Sequence, residues 1–380
     1  MAEHTGIEWC DATFNPWWGC ERVSPACAHC YAEGQANRFA DGVQLWGDGH
    51  EFRFFGDKHW QEPLKWAQRL PAKLGRRPRV FCASMADVFE ERDELASHRG
   101  RLFDLIDRTP ELDWLILTKR PEFAREVLTR PGNVDRWANV WMGVSIENAR
   151  YTWRADVLRE IPAAVRFISA EPLLGSLFPV LPPGPPDPPT RHMWGVGGAG
   201  PGARPVESGS LEVGITDEDT RGLEIDSPWR APRRAPLDLT GIDWVIAGGE
   251  SGASARPSHP DWFRELRDAC LNECVLCMAG ASPCGLDECE HRRPAFFFKQ
   301  WGEWANGSSL DLNDRDRVVT YDGKVRTWPE WREQGYAVGA GHARPVAMHR
   351  AGKRNAGREL DGRTWDEFPQ SAVVPAEVQW

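Results

Sequence analysis

The sequence contains no run of about 18 apolar residues, so nothing in it reads as a membrane-spanning helix. Its first residues, "MAEHTGIEWCDATF", carry neither a basic leader nor an apolar core segment, which argues against an export signal. Together these absences predict a soluble, cytoplasmic chain with no membrane partner. Lysine is scarce, seven of the 46 basic residues, and acidic residues outnumber basic ones at 56, for a net charge of −10. That balance argues against broad non-specific binding of DNA through a basic surface, while a local basic groove stays possible. Apolar and aromatic side chains are plentiful. At 41% hydrophobic and 11% aromatic, with 20 tryptophans, the chain can bury a substantial core. Its 380 residues exceed the usual single domain, though one α/β barrel with insertions reaches that length.

Six short apolar runs each close on polar residues. "RVFCASMADVF" (79–89) runs into Ser84 and Asp87, and "LDWLILTKRPE" (112–122) into Lys119 and Arg120. "NVWMGVSIEN" (139–148) ends in Ser145, Glu147 and Asn148, and "VRFISAEPLLG" (165–175) in Glu171. "IDWVIAGGESG" (242–252) ends in Gly249 and Glu250, and "AFFFKQWG" (295–302) in Lys299 and Gln300. Near-continuous apolar runs are what strands buried on both faces require. Helical patterns such as "ERDELASHRGRLFDLIDRT" and "HPDWFRELRDAC" lie between them, and strand–helix alternation predicts a parallel sheet. The expected fold is therefore α/β, a partial or complete (β/α) barrel whose strand ends bring the polar clusters to one mouth. Turns and helix caps would account for any one cluster, but six in succession favour a site.

Two stretches interrupt the pattern. The Pro- and Gly-rich segment 181–236 reads as a flexible insertion between strands. The other, 272–294, is rich in cysteine. The layout is then an N-terminal part of the barrel (1–180), the insertion, the rest of the barrel (237–302) and a C-terminal cap (303–380) with short helical and turn signals.

Cys20, Cys27 and Cys30 form a C-x6-C-x2-C spacing just after "TGIEW", the first plausible strand, and just before a helical "YAEGQANRFA". Three thiolates can hold three irons of a [4Fe–4S] cluster and leave the fourth open. The alternative is a closed zinc site completed by Cys10 or a histidine.

The run "IEWCDATFNPWWGCERVSPACAHCYAE", with "LTKRPE", "GVSIEN", "SAEPLLG", "VIAGGESG", "FFKQWG" and "AGRELDGRTWDEFP", resembles the phage Gp37/Gp68 family (domain of unknown function 5131) over nearly the whole chain apart from the two insertions. That family looks like a divergent branch of the radical S-adenosylmethionine (SAM) enzymes, found in phages and mobile elements. The resemblance implies a radical SAM-type barrel with a [4Fe–4S] cluster on Cys20, Cys27 and Cys30, SAM on the open iron, and a 5′-deoxyadenosyl radical that abstracts hydrogen from the substrate. It also implies an electron donor such as flavodoxin or ferredoxin. The first cysteine gap, six residues, is longer than the usual three. His29 stands where an aromatic residue often packs near the adenine, and "GGES" comes late in the chain. Candidate cofactor-binding residues are His29, Tyr31, Ser84, Lys119, Arg120, Ser145, Glu147, Asn148, Gly249 and Glu250. Glu147 or Asn148 would meet the ribose and Lys119 or Arg120 the methionine carboxylate. Candidate catalytic residues are Glu171, Lys299 and Asp87, although Glu171 and Lys299 can instead pair with each other inside the barrel.

A second cysteine set begins with Cys270, Cys274 and Cys277. Cys270 shares a helix face with Trp262 and Leu266, which reads as a buried position. The remaining Cys274, Cys277, Cys284 and Cys289, with His291 as alternate ligand, read as a knuckle binding zinc, with an auxiliary iron–sulfur cluster or free thiols as alternatives. For the substrate, the Trp-rich motifs and the phage context favour a nucleobase or modified nucleotide, modified or repaired, since an extruded base is held by aromatic stacking. The competing class is a non-catalytic, zinc-stabilised interaction module.

Overall fold

The computed structural model describes residues 5–39, 42–133, 136–178, 236–272, 293–306, 312–334 and 344–369. All six apolar runs become strands of one parallel sheet. A seventh, β1 (Ala12–Thr13), precedes them, and the six are β2 (Arg79–Cys82), β3 (Asp113–Thr118), β4 (Val140–Ser145), β5 (Val165–Ala170), β6 (Trp244–Gly248) and β7 (Ala295–Gln300). Each lies beside its sequence neighbour, β1 through β7, and β1 and β7 form the two edges. The sheet curls into a half-barrel, the partial form of the expected architecture. The main helices are α1 (Tyr31–Asn37), α2 (Glu62–Leu74), α3 (Ala96–Asp107), α4 (Pro121–Leu128), α5 (Trp153–Arg159) and α6 (Pro260–Asn272). Among the described residues, no helix is long and apolar enough to cross a membrane. Cys274, Cys277, Cys284, Cys289 and His291 lie outside the described residues, as does the Pro/Gly-rich stretch through residue 235.

Period-two alternation divides the continuous apolar runs between two cores. Trp114, Ile116, Met142, Val144, Ile168, Val245 and Phe298 belong to the larger core, which also includes the helix residues Leu102, Ile106, Leu158 and Phe263. Phe81, Leu115, Trp141, Phe167, Trp244, Ile246 and Phe297 form a second cluster with Trp9. Gly143 makes this second cluster possible, because a Cβ there would lie 2.3 Å from the Phe167 ring. The expected first strand in "TGIEW" does not form. Trp9 is drawn into the second core, 4.6 Å from Phe81 and 6.2 Å from Trp244 between ring centroids, and the strand begins three residues later at Ala12. Burial of Cys270 on α6 matches the sequence expectation.

The C-terminal region is richer in strand than its sequence suggested. β8 (Trp304–Asn306), β9 (Arg317–Val319), β10 (Val325–Thr327) and β11 (Val346–Arg350) form an antiparallel sheet in the order β8-β11-β9-β10. The helical signal in "RTWPEWREQ" does form, as Trp328–Glu333, closed by a capping box between Thr327 and Glu330. Three of these four strands have only three residues, too short to show the alternation that sequence reading depends on. The chain then returns to protect the exposed edge of β7, where Phe298 N donates to Trp365 O and Glu367 N to Phe296 O.

Asp113 begins β3 at the end of the barrel away from the mouth and is 3% exposed. Burial pushes its pKa up to about 6, and Arg77, 3.7 Å away, offsets only part of that. A folded pKa above the unfolded one means that the native state binds more protons between about pH 4 and 6, so stability falls as pH rises through that window. The full penalty, roughly 3 kcal/mol, is present above pH 6. Asp113→Asn is expected to flatten this slope and raise stability at pH 7 relative to pH 4, as checked by urea unfolding of both proteins across the range.

Candidate functional site

The C-terminal ends of β2 to β7 surround a cavity of about 360 Å³. Trp9, Phe81 and Leu117 supply apolar lining, and Ser84, Lys119, Ser145, Ser169, Glu171, Gly249, Glu250, Lys299 and Gln300 supply polar lining. Cys20, Cys27, Cys30, His29 and Tyr31 line it too, all from the segment that leaves β1 and ends in α1. The three cysteines, all within residues 20–30, therefore share one chamber with the strand-end polar residues.

Two charged clusters fasten this cysteine segment. The first is at the ends of β2 and β3. Asp87 accepts hydrogen bonds from Thr118 Oγ1 at 2.7 Å, Lys119 N at 3.0 Å and Phe89 N at 2.9 Å, and pairs with Arg120 at 3.0 Å. Arg120 donates in turn to Glu21 O at 3.1 Å and lies 3.9 Å from Cys20 Sγ. Glu90 accepts from Glu21 N and is 3.3 Å from buried His50. The second cluster follows β6. Arg256 donates to both carboxylate oxygens of Glu250, at 2.6 and 2.8 Å, and to Pro25 O at 3.0 Å, while His29 Nδ1 lies 3.4 Å from Glu250 Oε2.

Electrostatics follow from this packing. Burial pushes the thiols of Cys20 and Cys30 up, and the cations Arg120 and Lys119 respectively pull them back in part. Burial also pushes Asp87 up, but Arg120 and the three donors outweigh it and hold the carboxyl below its usual range. Lys119 is lowered by burial and raised more strongly by Cys27, Glu147 and Cys30, ending above its usual value. Its ammonium has a polar neighbour in Ser145 Oγ, at 3.3 Å.

Not every residue singled out from sequence faces the cavity. Glu147 is buried against Arg154 at 3.0 Å, and Asn148 caps the turn that follows by accepting from Arg150 N at 2.9 Å. Neither is among the lining residues. Lys299 and Glu171 are paired at 2.6 Å. Tyr31 is exposed and donates to Ser84 O. Asn15, Glu90, Arg154 and Arg256 were not foreseen. Asn15 spans Ser84 Oγ and Met85 N, and the only hint of Arg256 was a lone charge six residues past Glu250 in a small-residue loop.

The donor set suits a group that takes several thiolates. Among the described residues no three His, Cys, Asp or Glu side chains gather for a single metal ion. A cubic cluster places each thiolate on a separate iron, and Cys20, Cys27 and Cys30, the residues that would hold one, line a single chamber with Arg120 and Lys119 near two of them. Cys10 is not part of this set. Its thiol faces Ile7 O in the second core.

No curated protein matches the chain. Among solved structures, a cysteine-to-serine variant of spore photoproduct lyase is similar at 15% identity and a TM-score of 0.31, covering 43% of this chain and 46% of that one. The chain thus spans less than half of that protein's length. The family described as "Protein of unknown function (DUF5131)" matches residues 4–278 and 286–369. The chain belongs to that family.

Proposed function

We propose that the chain is a radical SAM-type enzyme that holds a [4Fe–4S] cluster on Cys20, Cys27 and Cys30 and acts on a nucleobase or modified nucleotide. The observation that carries this reading is the meeting of three thiols with the strand-end polar residues in one cavity of a parallel half-barrel. Cys20, Cys27 and Cys30 would hold the cluster, which, when bound with SAM, would supply the one electron that splits the sulfonium into methionine and a 5′-deoxyadenosyl radical. The chain's own residues bind, orient and exclude water.

Lys119 suits the methionine carboxylate better than Arg120 does. Arg120 is already committed to Asp87 and Glu21 O, whereas the Lys119 ammonium has a serine hydroxyl beside it. Ser145 offers its hydroxyl next to that ammonium, and Ser169, its register partner on β5, lines the same cavity. Trp9 and Phe81 give the cavity apolar walls on which a planar base can rest. Most tryptophans serve the core: 14 of the 20 are buried, Trp9 among them, and Trp17, Trp66, Trp114, Trp141, Trp244 and Trp262 are fully so. Glu171 and Lys299 face the same cavity as a neutralised pair, which keeps the pocket polar without net charge there.

Anaerobic reconstitution with iron and sulfide, reduction and addition of SAM test the reading. About four irons per chain and 5′-deoxyadenosine formation that disappears in Cys30→Ala are expected. A protein that takes up zinc alone and leaves SAM intact would overturn the enzyme and favour an interaction module.

A further inference from the structure

The cysteine segment is anchored to both sides of an open half-barrel. On the β2–β3 side, Arg120 holds the Cys20 end through Glu21 O, and Tyr31 reaches Ser84 O. On the other side stands Arg256, in the segment between β6 and α6. Its guanidinium makes a bidentate pair with Glu250, whose side chain is 4% exposed, and spends a further N–H on Pro25 O, two residues before Cys27. The Arg256 backbone N–H donates to the same carboxylate at 2.7 Å, so the pair is rigid. Trp304 Nε1 fixes the preceding residue by donating to Ala255 O at 2.7 Å, and Ser258 Oγ donates to Leu173 O at 2.7 Å. His29, between Cys27 and Cys30, points its Nδ1 at Glu250 Oε2. The late "GGES" motif thereby meets the cysteine segment through an arginine outside both motifs.

We infer that Arg256, fixed on Glu250, is a positioning residue that holds the Cys27–Cys30 end in ligating register. The inference rests on the cluster reading of Cys20, Cys27 and Cys30. Groups that orient metal ligands without touching the metal commonly govern its retention. Bidentate arginine supplies both charge and planar geometry for this task, and lysine supplies only the charge. Arg256→Lys keeps a counter-ion for buried Glu250 while losing the simultaneous reach to Pro25 O.

The test compares wild type, Arg256→Lys and Arg256→Gln after anaerobic reconstitution. Iron and sulfide per chain are measured, along with loss of the cluster's visible absorbance under a chelator and the low-temperature paramagnetic resonance spectrum of the reduced protein. Circular dichroism melts of the metal-free chains report folding separately. The expected result is cooperative melting of both variants and cluster loss about 10-fold faster in Arg256→Gln than in wild type. Arg256→Lys should fall between the two, and both variants should show an altered resonance spectrum. If Arg256→Gln fails to melt cooperatively, Arg256→Lys carries the comparison alone. Variants that retain the cluster as wild type does, with its spectrum, would overturn the role of Arg256 and leave the cluster reading standing. A wild-type chain that takes up no cluster would instead overturn the reading itself and the inference with it.

Discussion

Gly249→Ala is expected to destabilise the protein by about 3 kcal/mol or more. A Cβ at this position would lie 1.9 Å from Trp301 O and 2.6 Å from Trp301 C, both backbone atoms that cannot step aside as a side-chain tip would. The contact is reciprocal. A Cβ at Gly302, where φ is +79°, would come 2.1 Å from Glu250 O. The chain leaving β6 and the chain leaving β7 therefore pass in direct backbone contact, tied by Gly249 N to Gln300 O and Glu303 N to Glu250 O. Forcing them apart moves Glu250 and with it the Arg256 contact to Pro25. Gly100→Ala is the matched control, because that glycine lies within α3 with nothing near its missing Cβ, and alanine there should stabilise by up to about 1 kcal/mol. Urea unfolding of the metal-free proteins measures both. A neutral Gly249→Ala would show that the close approach is not required and return the glycine to a purely ligand-facing role.

Glu147→Ala should have an effect of similar or greater size, about 3–5 kcal/mol, because it strands a buried cation. Glu147 and Arg154 have side chains only 1% and 2% exposed, and Arg154 Nη1 also donates to Ser145 O at 2.8 Å while the guanidinium stacks 4.3 Å from the Tyr151 ring. Removing the carboxylate leaves that guanidinium without its counter-ion in a site closed to water. Replacing both partners at once, Glu147→Leu with Arg154→Met, removes the two desolvation penalties together and should recover most of the loss. Chemical denaturation of the two single variants and the double variant supplies the comparison. A Glu147→Ala protein of wild-type stability that binds SAM poorly would instead support the ribose contact expected from sequence.

Both cases show where sequence reading succeeds and where it stops. The motif "GVSIEN" marked the end of β4 correctly, because a buried parallel strand needs a continuous apolar run and the following loop must be polar. It did not reveal which polar residues turn into the cavity. Ser145 does and Glu147 does not, and the difference lies in Arg154, which reaches Glu147 from α5. In the same way "GGESG" marked the end of β6, and Gly249, a candidate cofactor contact by sequence, does line the cavity, but the motif gave no sign of a second neighbour. Gly249 also packs against the Trp301 backbone, a neighbour 52 residues away in the chain.

The sequence by itself determined the six main strands, the placement of polar clusters at their C-terminal ends, the buried helix position of Cys270 and the grouping of Cys20, Cys27 and Cys30. Each of these depends on residue type and spacing along a short segment, and hydrophobic burial acts on such segments directly. Only the tertiary structure decided that the barrel is half-closed, that Trp9 joins the second core instead of a strand, and that the C-terminal tail protects the β7 edge. It also decided the pairings Arg120 with Asp87 and Arg256 with Glu250, and selected the Lys299–Glu171 pairing that the sequence had offered as one of two uses for those residues. A buried charge must find a partner wherever the fold brings one within reach, and that distance is set by how the strands curl, which no local pattern records.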